Sequence, residues 1–267
     1  MRGKFSVVGV GNMAGAILNG VFRSGILSPA DVTLFDTDPK KSEIFASNGC
    51  IVANSAGEAA AAGKYVLLSV KPQVLEGVLL SIKDSIDDET VLISICAGIS
   101  ASFIRKTVGF ACRVVTVMPN TPLLLGSGAT AIGRVEPISD EEFGFVKSIF
   151  AAAGKAYEIP ANLMNEVIPL NGSSPAYVYF FAKAFVDEAV KNGFDYNVAL
   201  ELFSASLVGS AKMMTESGKT LDELITMVSS PGGTTIAGLG ALKSEGFDEA
   251  VRACSEATIR RAYELGK

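Results

Sequence analysis

The chain contains no histidine in 267 residues. This excludes a Ser-His-Asp triad, a Cys-His pair and an H-E-x-x-H zinc site. It also excludes dehydrogenases that use an imidazole as proton acceptor, so any hydride chemistry must handle its proton by another route. Cysteine is sparse: Cys50, Cys96, Cys112 and Cys254 are scattered, with no C-x-x-C pair. Such spacing suits reduced, mostly buried thiols in a cytoplasmic protein, and no metal site is expected. Concentrated charge is missing as well. The formal net charge is −5, without a basic block or an acidic tail, which argues against nucleic acid and anionic membrane as partners. No apolar run reads as a membrane span. The longest uncharged stretch, residues 114–133, is broken by Pro119, Asn120 and Pro122.

The informative stretch comes first. Lys4-Phe5-Ser6-Val7-Val8-Gly9-Val10 reads as a short buried strand, and Gly9-Val10-Gly11-Asn12-Met13-Ala14 follows as a G-x-G-x-x-A turn. Apolar residues then recur at helical spacing, Met13, Ile17 and Val21 beside Ala14, Leu18 and Phe22. Strand, glycine turn and helix form the context of a dinucleotide fingerprint. Gly9 allows the tight turn, Gly11 lets backbone approach a pyrophosphate, and Ala14 lets helix pack on strand. The helix start offers free N–H groups to phosphate. A signal peptide would share the basic start and the Ala14-Gly15-Ala16 ending, but Gly9, Gly11 and Asn12 interrupt its apolar region.

Strands and helices alternate to about residue 158, with strands expected at 32–35, 65–70, 90–95, 113–118 and 129–132, and a weaker one at 50–53. This pattern predicts an α/β fold: a doubly wound parallel sheet covered on both faces. One helix opens with the capping box Ser139-Asp140-Glu141-Glu142 and another with Thr220-Leu221-Asp222-Glu223. After Pro160 strand signals vanish, and helices are expected at 175–191, 197–216, 234–244 and 247–265. The predicted division is therefore a dinucleotide-binding domain over 1–162 and an all-helical domain over 163–267. The helix from Pro175 carries Tyr177, Phe180, Phe181, Ala184 and Phe185, which fits either core packing or a subunit seam. A purely helical second half makes a small core, and pairing with a second copy would bury more surface.

Ligand contacts in a doubly wound fold lie at the carboxyl ends of strands. Asp36 ends the second strand, where an acid bonds the adenosine 2′-OH and repels a 2′-phosphate; as a plain turn aspartate it would do neither. Ser69, Val70, Lys71 and Pro72 run from a strand into a helix, and Lys71 faces either the cofactor or solvent. Cys96, Ala97 and Gly98 are small enough to let a ring lie close to backbone. Met118-Pro119-Asn120-Thr121-Pro122 forms a rigid turn at another strand end. In the second half, Ser229-Ser230-Pro231-Gly232-Gly233-Thr234-Thr235 places hydroxyls and a glycine pair at a helix start, an anion nest sized for a carboxylate or simply an inter-helix turn.

These motifs, with Asn54 and Gly172-Ser173-Ser174-Pro175-Ala176-Tyr177, resemble pyrroline-5-carboxylate reductase over nearly the full chain. The resemblance implies that the first domain binds NAD(P)H through Gly9, Gly11, Asn12, Met13, Ala14, Asp36, Asn54, Ser69, Val70, Lys71, Pro72, Cys96, Ala97 and Gly98. It implies that the helical domain forms an interlocked homodimer, in some members part of a decamer, and supplies the substrate pocket. The expected substrate is 1-pyrroline-5-carboxylate, reduced to proline in the last step of proline biosynthesis. Ser230, Gly232, Gly233, Thr234 and Thr235 are expected to hold its carboxylate, with Thr235 nearest the ring nitrogen. Two features depart from the family pattern: Ser174 replaces a glycine, and Asn165-Glu166-Val167-Ile168-Pro169 is unusual. Asp36 leads us to expect NADH to be slightly favoured. Two other readings fit the fold: a different imine or hydroxyacid oxidoreductase, which would need a lysine acid such as Lys183 or Lys191, and a non-catalytic dinucleotide sensor.

Overall fold

A computed structural model of the chain describes residues 3–266. Strands β1 (Gly3–Val8), β2 (Val32–Phe35), β3 (Ile51–Val52), β4 (Gly63–Leu68), β5 (Val91–Ser94), β6 (Arg113–Met118), β7 (Gly128–Val135) and β8 (Gly154–Pro160) form one sheet. Its order is β3-β2-β1-β4-β5-β6-β7-β8. Neighbours from β3 to β6 pair in parallel. All four residues of β5 are buried, as a strand covered on both faces requires.

Between the strands lie α1 (Asn12–Ser24), α2 (Pro39–Ala46), α3 (Ala56–Ala62), α4 (Pro72–Ile82), α5 (Ala101–Val108) and α6 (Asp140–Ala151). Two apolar layers cover the sheet. Ala14, Ile17 and Val21 of α1, Phe45 of α2, and Phe143, Val146 and Phe150 of α6 pack on one face with Val7, Leu67 and Ile93. Ala59 of α3, Leu75 and Leu79 of α4, and Ile104 of α5 pack on the other with Val8, Val66 and Leu92. Helices α1 and α4 thus leave β1 and β4 toward opposite faces. That is the switch point where open α/β sheets bind ligands.

The expected doubly wound parallel sheet is found, with one antiparallel pairing toward one edge. β7 runs antiparallel to β6, and β8 runs parallel to β7. The physical reason is connection length. Residues 119–127 join β6 to β7, fewer than the roughly a dozen that a parallel crossover needs. β8 was not expected at all. Exposed Lys155 and Glu158 interrupt its apolar pattern, as suits an edge strand.

At the amino ends of β4 and β6, Glu142 of α6 pairs with Lys64 at 3.0 Å and Arg113 at 2.9 Å, and Arg113 also grips Glu89 at 2.7 Å. Burial pushes the Glu142 carboxyl up. The Ser139 amide and the Lys64 ammonium outweigh it and hold the carboxyl below the usual carboxylate range. Ser139 and Glu142 form the expected capping box.

The second half contains α7 (Ser174–Lys191), α8 (Tyr196–Glu216), α9 (Leu221–Met227), α10 (Thr234–Ser244) and α11 (Phe247–Leu265). By packing, the chain divides into two compact units. Of the described residues, one holds 3–175 together with 257–266; the other is Ala176–Glu256. In the first unit, Met164, Val167, Ile168 and Ala262 pack against Met118 and Ala131 of β6 and β7. Tyr263 donates to Glu166 Oε1 at 2.6 Å. Gly98 has a left-handed φ of 82°, and a Cβ there would collide with the Ala262 carbonyl. The last turns of α11 therefore lie on the loop between β5 and α5. In the second unit, Phe181, Phe185, Phe203 and Phe247 cluster, with Phe185 stacked on Phe203 at 5.0 Å. Tyr179, Phe180, Leu202, Val208, Ile225 and Val228 stay exposed there.

Candidate active site

The parallel strands end on one sheet edge, and the chain places its glycine turn there. Gly9 has φ 92° and its amide donates to Phe35 O at 2.8 Å. A Cβ on Gly9 would collide with the Ser69 carbonyl, so the loops after β1 and β4 lie in contact. Only glycine fits there on both counts. Gly11 is the N-cap of α1, extended, with no side chain capping the helix. The first amides of α1 therefore have no acceptor within the helix or from a cap. A Cβ on Gly11 would meet no protein atom within 4 Å. Ala14 is fully buried beneath the turn. An uncapped start on a 13-residue helix behind a glycine loop fits a dinucleotide pyrophosphate.

Asp36 sits just beyond β2 with its side chain only 8% exposed. Oδ2 accepts from the Val10 amide at 2.7 Å, Oδ1 from the Asp38 amide at 2.8 Å, and Lys41 Nζ lies 3.5 Å away. The carboxylate thus organises the glycine turn directly, a role that the sequence did not reveal. An ionised carboxylate has about four acceptor positions, so these bonds do not exhaust it. Asn54 is exposed, and its backbone and side-chain N–H groups both donate to Glu58, at 2.8 and 3.0 Å. The Ser69 amide donates to Val8 O at 2.9 Å. Lys71 is an exposed N-cap of α4, followed by Pro72 in the first turn.

Cys96 approaches Val70 O at 3.2 Å and takes its own amide bond to Ser94 Oγ at 3.3 Å. Burial pushes its thiol up, and its hydrogen bonding with Ser94 and Val70 acts the other way. It is a packing residue that ties the β5 loop to the β4 loop. Ala97 packs against the Met118 cluster. Gly98 is small because α11 lies against it, a reason that differs from the expected access for a ring. Beside this loop, Ile99, Ser100, Thr116, Met164, Asn165 and Tyr263 line a cavity of about 290 Å³.

The turn after β6 is fixed by side chains. Asn120 Oδ1 accepts from the Ala129 amide at 2.8 Å. Asn171 Nδ2 donates to Met118 O at 2.7 Å and to Ala129 O at 3.2 Å. Asn171 was not among the expected site residues. No local motif marks it, because its partners lie 53 and 42 positions away.

The loop before α10 belongs to the second unit. Gly232 has φ 73°, and the Gly233 amide donates to Ser230 O at 2.9 Å, closing a tight turn. Gly233 is the N-cap of α10, extended and without a side-chain cap. The first amides of α10, beginning at Thr234 and Thr235, are therefore uncapped, and both residues are exposed. This is the local geometry of an anion nest. Ser229 Oγ is buried without a partner in the same turn. On the rival reading, Lys183 would serve as acid, but it is exposed and paired with Asp187 one turn along α7.

Among the described residues no helix is long and apolar enough to cross a membrane. Residues 161–265 match the family described as pyrroline-5-carboxylate reductase dimerisation, and residues 4–98 match NADP oxidoreductase, coenzyme F420-dependent. The chain is 33% identical to pyrroline-5-carboxylate reductase of Pisum sativum, covering 97% of this chain and 94% of that one. It is 32% identical to the Escherichia coli enzyme of the same name over the full length of both. The structure of Plasmodium falciparum pyrroline carboxylate reductase with NADP bound superposes with a TM-score of 0.90 at 28% identity, covering 99% and 98% of the two chains. With a third of its residues shared along the full length of such enzymes and both halves matched, the chain belongs to the pyrroline-5-carboxylate reductase family.

Proposed function

We propose that the protein reduces 1-pyrroline-5-carboxylate to proline, using NAD(P)H held at the carboxyl edge of the sheet. The observation that carries this is the glycine turn locked between Phe35 and Ser69 in front of the uncapped α1, in a chain of this family. When bound, NAD(P)H supplies the hydride, which goes to the C5 carbon of the imine. The amides of α1 hold the pyrophosphate, and Asp36 holds the adenosine ribose while bracing the turn through Val10. In the helical part, Ser230, Gly232, Gly233, Thr234 and Thr235 hold the substrate carboxylate. The Thr235 hydroxyl orients the ring nitrogen, which takes its proton from water. The protein contributes mainly alignment of two reactants, worth up to roughly 7–11 kcal/mol in favourable systems.

Functionally we assign 1–162 to dinucleotide binding and 163–267 to substrate binding and pairing, with a homodimer, or a dimer-based decamer, as the working form. Cys50, Cys96, Cys112 and Cys254 form no disulfide, which suits a reducing, cytoplasmic setting. Asp36 places a negative charge where a 2′-phosphate would approach, so NADH is taken at least as well as NADPH.

The deciding measurement is loss of reduced-nicotinamide absorbance with 1-pyrroline-5-carboxylate and each cofactor in turn. A folded protein that binds NAD(P)H but does not turn over this imine refutes the reading. Thr235→Ala should lower kcat/KM by about tenfold or more, because a hydrogen bond to a charged group is worth roughly 1.5–3 kcal/mol. Asp36→Ser should move the NADH/NADPH ratio of kcat/KM toward NADPH; an unchanged ratio removes Asp36 as the ribose contact.

A further inference from the structure

The ladder between β6 and β7 ends at the pair Met118–Ala131. Beyond it the strands separate into the loop 119–127. Their next backbone groups must find other partners or be buried unpaired. Two side-chain amides take the place of the missing rungs. Asn120 accepts from the Ala129 amide, and Asn171 donates from one nitrogen to both Met118 O and Ala129 O. Asn171 is 9% exposed, and its own backbone is fixed by its amide to Val167 O at 3.0 Å and by Ser174 Oγ on its carbonyl at 3.3 Å. Next to it, a Cβ on Gly172 would press on Met118 Sδ at 2.9 Å. The segment entering α7 is therefore clamped onto the end of β6.

The orientation of this amide is fixed by chemistry, since two carbonyl acceptors demand the nitrogen. The cost is visible: Oδ1 is buried with no partner. A half-satisfied buried amide is unfavourable, so the donor half, bonded to two carbonyls, must be the half in use. The location suggests what that use is. In the strand order β2 and β6 lie on opposite sides of β1, with β4 and β5 between β1 and β6. A dinucleotide with its adenosine at Asp36 and its pyrophosphate at Gly11 runs toward β4, β5 and β6. Its reactive end would then lie along the carboxyl ends of those strands, where the turn at Met118–Asn120 sits.

We propose that Asn171 is a positioning residue for hydride transfer. Its single amide nitrogen, shared between Met118 O and Ala129 O, sets the turn that walls the nicotinamide end of the cofactor site. The proposal rests on the reductase reading above, and it makes no contact claim between Asn171 and cofactor.

The test uses N171D and N171L, both close in size to asparagine, beside the unaltered protein. In N171D the ionised carboxylate sets oxygen against two carbonyl oxygens, whereas the protonated acid restores one donor. Burial and those carbonyls both raise the pKa of such an acid. Relative to the unaltered protein at each pH, kcat of N171D should be highest in acid and fall about tenfold as pH rises, the worth of one hydrogen bond. KM for NAD(P)H should stay within about twofold, since the α1 amides are untouched. N171L should be low at every pH. Melting midpoints above the assay temperature in each buffer confirm folded protein. If N171D fails to fold, N171S takes its place, with one hydroxyl donor and an expected rate between those of the unaltered protein and N171L.

A second readout does not need turnover: N171L should change the emission of bound reduced nicotinamide while leaving its Kd within about twofold. A flat N171D ratio across pH overturns the proposal, as does N171S no better than N171L, or N171L with unaltered emission. Failure of the unaltered protein to reduce the imine refutes the reductase reading and leaves the emission test to decide the role of Asn171.

Discussion

The sheet unit and the helical unit of this chain solve the burial problem differently. In the first, Phe5, Ile17, Leu67, Leu79, Ile93 and Phe150 are fully buried within the unit's own layers. In residues 176–256 only Val186 and Ala199 are buried, while Phe180 is 77% exposed and Leu202 and Val208 are each 59% exposed. Long helices that carry so much exposed apolar surface have an unfinished core. Exposed patches of this size mark interaction sites, and a second copy of the same surface is the simplest partner. The difference teaches that stability in this chain has two currencies, one set by sequence alone and one set also by protein concentration.

The comparison can be broken most forcefully in the sheet unit. Phe150→Ala should cost about 3–5 kcal/mol in denaturant unfolding. The loss should be the same in dilute and concentrated protein, and a concentration-dependent loss would contradict a self-contained core. Phe180→Asp should leave the monomer fold intact yet weaken self-association by about 2–4 kcal/mol, the range of an interface hot spot. Sedimentation across a dilution series checks this, and an unchanged oligomer would place the seam elsewhere.

Charge gives a smaller effect. Because the Glu142 carboxyl lies below its usual range, its contribution holds above the unfolded value of about 4.3 and is lost as pH falls through the folded value. Glu142→Gln should cost roughly 1–3 kcal/mol at neutral pH and flatten the acid limb of the stability profile. An acid limb identical to that of the unaltered protein would rule this network out as its source. The smallest effect sharpens the contrast. Leu125 is apolar and 85% exposed, but it lies in the sheet unit, so Leu125→Ser should change unfolding and association by less than about 0.5 kcal/mol.

Local chemistry explains which features could be read from the sequence. The glycine turn, both capping boxes and the position of Asp36 at a strand end depend on residues within a few positions of one another. The helices at 234–244 and 247–265 are found where their periodicity put them. What was missed has several causes. The reversal of β7 follows from a short loop. β8 hides behind the charges of an edge strand. Tyr263 reaches Glu166 across 97 positions. The role of Asp36 was half visible: its place follows from the motif, whereas its bond to Val10 appears only once β1 and β2 are paired.

The seating of α11 against Gly98 has a consequence in time. The β5–α5 loop borders the edge where the cofactor is proposed to bind, yet its packing partner, Ala262, lies in the other half of the sequence. Contacts between such distant positions carry the largest loop-closure cost and form late. The contacts of the sheet are closer in sequence and can form first, but the loop carrying Cys96, Ala97 and Gly98 lacks its outer support until residues 257–266 pack against it. A fully supported β5–α5 loop is therefore a late product of folding.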